Sequence, residues 1–358
     1  MESIDNNIKK ATTWKAPACV HDRISKDNNI NFLRLFLAYM VVFFHSAELS
    51  GSSYPFSKFF DGEIAVYGFF IISGFLIIRS YWSSPSLKDY YIRRSKRLLP
   101  AYFIVVIGCI VFLSYYSSLS TSDYFKSSQT IKYFFSNIIF LNFLQPSLPG
   151  VFAENRLQAV NGSLWTIKVE VCFYVILPII GHLMSKLKTK FRMNLLLCFL
   201  YVFGLAYKFL CLHIAEKSGN KIFVELSRQL PGAIQYFAVG IFCAVNYELI
   251  RKYEKYLVVP AIIIVAIYYA LGNWYLLPIG LGVIVMYIGF NFKRLNGIGK
   301  IGDYSYGVYI FHFPIIQILT SLGYFKLNKD VTLLVVLGLV FSISYLSWHF
   351  LEKKVLKR

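Results

Sequence analysis

Apolar runs of about 17 residues or more recur along this 358-residue chain, separated by short basic segments. A helix rises about 1.5 Å per residue, so such a run covers most of a hydrocarbon core about 30 Å thick. Lipid offers no partner for peptide N–H and C=O groups, so each crossing segment must satisfy its backbone internally, as a helix does. The composition is 57% hydrophobic and 18% aromatic with 15% charged residues, more apolar than a soluble domain of this length needs. The expected fold is therefore all-α: a polytopic transmembrane helical bundle. Ten spans are read, at about 31–48, 62–79, 99–117, 164–184, 193–214, 229–249, 256–272, 274–291, 304–322 and 331–351.

The formal net charge of +19 would suit nucleic acid, but its distribution argues against that partner. The basic residues cluster in alternate connections between apolar runs, the positive-inside pattern. With the N-terminus in the cytoplasm, 25 of the 37 Lys and Arg residues fall on the cytoplasmic side and 9 on the other. Both termini are then cytoplasmic. The expected organisation is a cytoplasmic tail (1–29), a membrane domain (30–352) and a short basic cytoplasmic tail (353–358). The first 29 residues lack a removable signal pattern, so the first span is expected to remain as an anchor. The longest outside segment is 118–163. Its apolar stretch 133–144 is too short to cross and is read as re-entrant or interfacial, within about 131–147. The six cysteines form no C-x-x-C pair and five lie in apolar runs, so they read as small buried side chains; no metal site is expected.

Arg34 and His45 lie in the first apolar run, where ionisable groups are costly and mark function. Eleven residues is about three helical turns, so the two side chains share a face about 16 Å apart along the axis. By the same rise, His45 and Glu170 fall at similar depth on helices of opposite direction. Glu170 beside His45 would orient a general base; the alternative is that each pairs elsewhere, for instance Glu170 with Lys168. Trp165 heads the span of Glu170 and suits an interfacial anchor. Asn161-Gly-Ser163 matches a glycosylation acceptor, a weak three-residue signal. Arg93, Arg94 and Arg97 cluster at the cytoplasmic mouth of the third span. They suit phosphate binding, or ordinary positive-inside charge. Gly297-Ile-Gly299-Lys-Ile-Gly302 matches G-x-G-x-x-G but follows an apolar span, so a dinucleotide fold is rejected. His312 is a second mid-membrane histidine, read either as polar packing with Tyr306 and Tyr309 or as catalytic.

These residues fall into an ordered set of motifs. They are Arg34-x10-His45, Gly68-Phe-Phe-Ile-Ile-Ser73-Gly74-Phe75-Leu, and Arg93-Arg94-Ser-Lys-Arg97-Leu-Leu-Pro100. Ser163-Leu-Trp165-Thr-Ile-Lys-Val-Glu170 and Ser305-Tyr306-Gly-Val-Tyr309-Ile-Phe-His312 follow. In this order, over almost the whole chain, they resemble the acyltransferase-3 family of integral membrane O-acyltransferases. Lys168 stands where family members usually carry a small polar residue. The resemblance implies transfer of an acyl group, often acetyl, from cytoplasmic acyl-CoA as a donor substrate, with no permanently bound cofactor. The implied acceptor is a hydroxyl of an envelope glycan or lipid-linked saccharide such as O-antigen or capsule, at a bacterial inner membrane. Membrane lipids are the other expected partner. His45 and Glu170 become the expected catalytic pair, with His45 either a general base on the acceptor hydroxyl or a transiently acylated nucleophile. Arg34, Arg93, Arg94 and Arg97 become donor-binding residues, with Ser73, Trp165, Tyr306 and His312 in support. The competing reading is a transporter or flippase of a glycan, lipid or small molecule, because intramembrane Arg, Lys and Glu suit a substrate path as well.

Overall fold

A computed structural model describes residues 28–292, 295 and 302–357, and among them every regular element is helical. Most of the expected N-terminal tail, including Cys19, lies outside the described residues, as do Gly297 and Gly299 of the glycine run. Each of the ten apolar segments is a helix. In chain order they are α1 (Ile30–Ser50), α2 (Gly62–Trp82) and α3 (Leu87–Leu113), then, after an extra short helix α4 (Ser128–Ile138), α5 (Trp165–Lys186) and α6 (Lys190–Ser218). The series continues with α7 (Leu230–Val245), α8 (Tyr247–Leu271), α9 (Leu277–Asn291), α10 (Ser305–Ser321) and α11 (Lys329–Ser347).

Local chemistry sets these boundaries. Thr189 caps α6 by accepting from the amide of Arg192, and Asn328 caps α11 through the amides of Asp330 and Val331. Gly219 and Gly272 end α6 and α8 in the left-handed conformation, at φ 68° and 66°.

Among the described residues, seven helices are long and apolar enough to cross a membrane. Three of the ten expected spans fall short of that length: α7 has 16 residues, α9 has 15 and α10 has 17. At about 1.5 Å per residue these rise about 22–26 Å, less than the hydrocarbon core. Proline explains one of them. Pro278 sits in the first turn of α9, where a residue without an N–H starts a helix but cannot continue one running into it. Helix α7 starts where expected and ends early, at Val245. Helix α4 rises only about 17 Å. It buries Thr130, Tyr133 and Asn137 on one face and exposes Ile131 and Phe135 on the other.

By internal contacts the chain divides into two units. The first comprises Met1–Leu33, Tyr67–Arg94 and Val169–Asn296. Here α2 meets α7 with almost no side chain between them: Gly74 lies against the backbone of Phe237, and Gly240 against that of Ile71. Such small-residue contacts let helices in lipid gain dispersion energy where no hydrophobic force drives them together. Phe70, Phe173 and Phe237 fill the space beside this crossing. Arg251 and Asn291 both bond the buried carboxylate of Glu254, joining α8 to α9.

The second unit comprises Arg34–Val66, Ser95–Lys168 and Gly297–Arg358. Its centre is α10, buried along almost its whole length, with Gly307 against Ser344 of α11. Pro314 breaks the ladder of α10. Lacking an N–H, it leaves the carbonyl of Ile310 without its helical donor. The amide Nδ2 of Asn161 supplies the missing bond at 2.9 Å. The first unit repeats the device: Pro178 frees the carbonyl of Tyr174, and the hydroxyl of Tyr90 donates to it at 3.1 Å.

Candidate functional site

Helix α1 carries Arg34 near one end and His45 near the other, both in the second unit. At the Arg34 end, Asp303 gathers two guanidinium groups. Arg34 Nη1 and Arg97 Nη2 both bond Asp303 Oδ2, while Ser305 Oγ donates to Oδ1. Burial alone would raise the Asp303 carboxyl; the charges of Arg34 and Arg97, with the hydrogen bonds from Ser305, outweigh it and hold the group down at about 2. Arg97 also approaches Glu352 Oε2 at 3.7 Å and lies over the rings of Trp348 and Tyr306. Tyr306 in turn donates its hydroxyl to the carbonyl of Leu98 at 2.9 Å, tying α10 to α3 one residue beyond Arg97.

At the other end of α1, His45 Nδ1 lies 2.8 Å from His312 Nε2. The two rings are nearly parallel, 5.0 Å apart at an interplanar angle of 20°. His312 Nδ1 lies 2.7 Å from the carbonyl oxygen of Tyr309. The ring of His312 has no accessible surface, whereas His45 retains some. Phe313 meets the His45 ring edge-on at 5.1 Å. The helix beneath this pair is laced to the start of α5. Tyr309 and Thr166 share a hydroxyl hydrogen bond of 2.6 Å, and Asn161 accepts from Ser163 Oγ while donating to α10. Asn161 is buried and spends its amide internally, so the Asn161-Gly-Ser163 match is a structural joint.

In the first unit, Glu170 Oε1 accepts the phenol of Tyr174 at 2.6 Å and the hydroxyl of Ser73 at 3.4 Å. In the second unit, the ring nitrogen Nδ1 of His45 is bonded to His312. Arg94 donates to Ser80 Oγ at 3.1 Å and lies over the Tyr174 ring, and its buried Nε has no hydrogen-bond partner among the described residues. Arg93 is exposed on the same helix. Lys168 stands over the ring of Phe143, 4.5 Å from its centroid, in the second unit. Trp165 begins α5 and is half-buried.

Sequence reasoning missed Asp303. Its signal was faint: one acidic residue after a basic loop, two positions before the Ser305-Tyr306 motif.

The chain is a multi-pass helical membrane protein whose α1 and α10 share a histidine pair and whose α1 and α3 bring two arginines onto Asp303. The acyltransferase-domain family matches residues 27–349, and the chain belongs to that family. It is 27% identical over 349 residues to an O-acetyl transferase of Shigella phage Sf6, covering 93% of this chain and 97% of the relative. It is 25% identical over 334 residues to the peptidoglycan O-acetyltransferase OatA of Listeria monocytogenes, covering 83% of this chain and 51% of that protein. Nodulation protein 10 of Rhizobium leguminosarum bv. viciae is 26% identical over 176 residues, 45% of this chain and 46% of the relative. No solved structure matches. The chain is thus a membrane acyltransferase of the O-acetyltransferase type, and the transport alternative finds no support in these matches.

Proposed function

We propose that the enzyme transfers an acyl group, acetyl in the first instance, from cytoplasmic acyl-CoA to a hydroxyl of an envelope glycan or lipid-linked saccharide such as O-antigen or capsule. Its place is the bacterial inner membrane. The observation that carries the mechanism is the half-buried His45 hydrogen-bonded to a fully buried partner histidine. His45 acts as general base. The acceptor O–H bond breaks as its proton passes to the imidazole, and the oxygen forms a bond to the thioester carbon. The C–S bond then breaks, and the departing thiolate recovers the proton from the imidazolium as a thiol.

The arginines divide the work on the donor. Arg93 is exposed and Arg94 holds an unsatisfied Nε–H, so these two are assigned to donor phosphate oxygens. Arg34 and Arg97 are already paired with carboxylates. They hold the chain at Asp303 against α1 and α3. Glu170, with Ser73, holds the Tyr174 phenol beneath Arg94.

Mass spectrometry of surface glycans from cells with and without the gene tests the reading. Loss of an acyl mass from one saccharide, restored by the wild-type gene but not by His45→Ala, is the expected result. Unchanged glycans in the deletion strain would overturn it.

A further inference from the structure

The proposed chemistry needs one nitrogen of His45 bare, yet a free imidazole exchanges its proton between both nitrogens. The hydrogen bonds around the ring remove that freedom. A peptide carbonyl only accepts, so the contact of 2.7 Å to Tyr309 O places a proton on His312 Nδ1. In a neutral ring, His312 Nε2 then carries the lone pair. His45 Nδ1, 2.8 Å away, must donate into it, which leaves His45 Nε2 unprotonated. Placing a positive charge on His312 instead would bury a cation on a ring without accessible surface, at a large desolvation cost.

We propose that His312 is a positioning residue that, backed by the Tyr309 carbonyl, locks His45 in the tautomer whose Nε2 is the base. The lock also sets the direction of the ring, because a stacked pair joined through Nδ1 holds Nε2 on its far side. Its anchor is firm. Ahead of His312, helix α10 is held by Tyr306 on Leu98, by Tyr309 on Thr166 and by Asn161 on Ile310. One helical turn further on, Gln317 Nε2 donates to the carbonyl of Ala159 at 2.8 Å. A carbonyl fixed at so many points cannot rotate away and release the relay. The histidine that begins the relay has no contact with substrate to make; it acts through His45.

This inference rests on His45 being the base, and two measurements keep the two claims apart. The first is nitrogen-15 histidine NMR of the purified full-length protein in detergent, with the His45 signals assigned by their loss in His45→Ala. Nδ1–H tautomers at both His45 and His312 are expected; an Nε2–H tautomer at His45 overturns the lock whether or not activity is measured. The second is kinetics. His312→Phe keeps a ring but removes the acceptor, whereas His312→Gln returns an amide oxygen near the position of Nε2. His312→Phe should lose about 10²-fold or more in kcat, with KM for donor and acceptor changed by less than about two-fold. His312→Gln should recover about tenfold over His312→Phe. Wild-type kcat in His312→Phe, or no gain in His312→Gln, overturns the role. If His312→Phe fails to insert, the NMR result on the wild type decides. If the wild type transfers no acyl group, the functional reading fails while the tautomer result still stands on its own.

Discussion

Replacing Asp303 by Asn removes one negative charge from beneath two guanidinium groups while keeping an acceptor for Ser305. The side chains of Arg34, Arg97 and Asp303 are only 20%, 16% and 13% exposed, so water recovers little of the lost interaction. The carboxyl lies at about 2 against an ordinary 3.8. That gap corresponds to about 2 kcal/mol favouring the charged form in the folded protein. Arg34 is then left with a neutral partner and Arg97 with Glu352, which adds to the loss, so Asp303→Asn should destabilise by about 2–4 kcal/mol. The assay is thermal unfolding of wild type and variant in the same detergent, followed by tryptophan fluorescence, with a fall in Tm of at least about 3 °C expected. The pH dependence is a second check. A carboxylate whose folded value is depressed contributes fully above its unfolded value near about 4, and that contribution disappears as pH falls through about 2. The difference in Tm should therefore stay constant from about pH 8 to about pH 5. Equal Tm values, or a difference that shrinks across that window, would refute the reasoning.

Other consequences are as direct. Asn161→Ala orphans the carbonyl of Ile310 and should cost about 1–3 kcal/mol; adding Pro314→Ala returns a helical N–H to that carbonyl, so the double variant should regain most of the loss in the same melting assay. Arg93→Ala and Arg94→Ala should raise donor KM about tenfold or more with little change in acceptor KM, and an unchanged donor KM in both would remove them from donor binding. Glu170→Gln keeps an acceptor for Tyr174 and Ser73 and should stay within about threefold of wild-type kcat; a loss as large as that of His45→Ala would instead make its charge part of the chemistry.

The helices were legible because each apolar run is long against the few residues of basic loop that separate it from the next. Lengths were less so. Hydropathy counts apolar residues without knowing that Pro278 sits in the first turn of α9 or that α7 ends at Val245, and α7, α9 and α10 came out shorter than expected. Within the site, the shared face of Arg34 and His45 follows from helical period alone. The bond from His45 to His312 spans 267 positions in sequence, and depth matching, which favoured Glu170, carries no lateral information. Asp303 was hidden for a related reason: an isolated acidic residue after a basic loop looks like a solvated charge until two arginines from distant helices converge on it. The Asn161 amide likewise acquires meaning only beside Pro314.

On the proposed mechanism, acyl transfer depends on the imidazole of His45. Purified protein in detergent, incubated with acetyl-CoA labelled in the acetyl group and a panel of saccharide acceptors, tests it without any membrane compartment. Label should pass to one acceptor with the wild type, and His45→Ala, equally well inserted and melting at a similar temperature, should fall by about 10²–10⁴-fold. Undiminished transfer by His45→Ala would contradict the account.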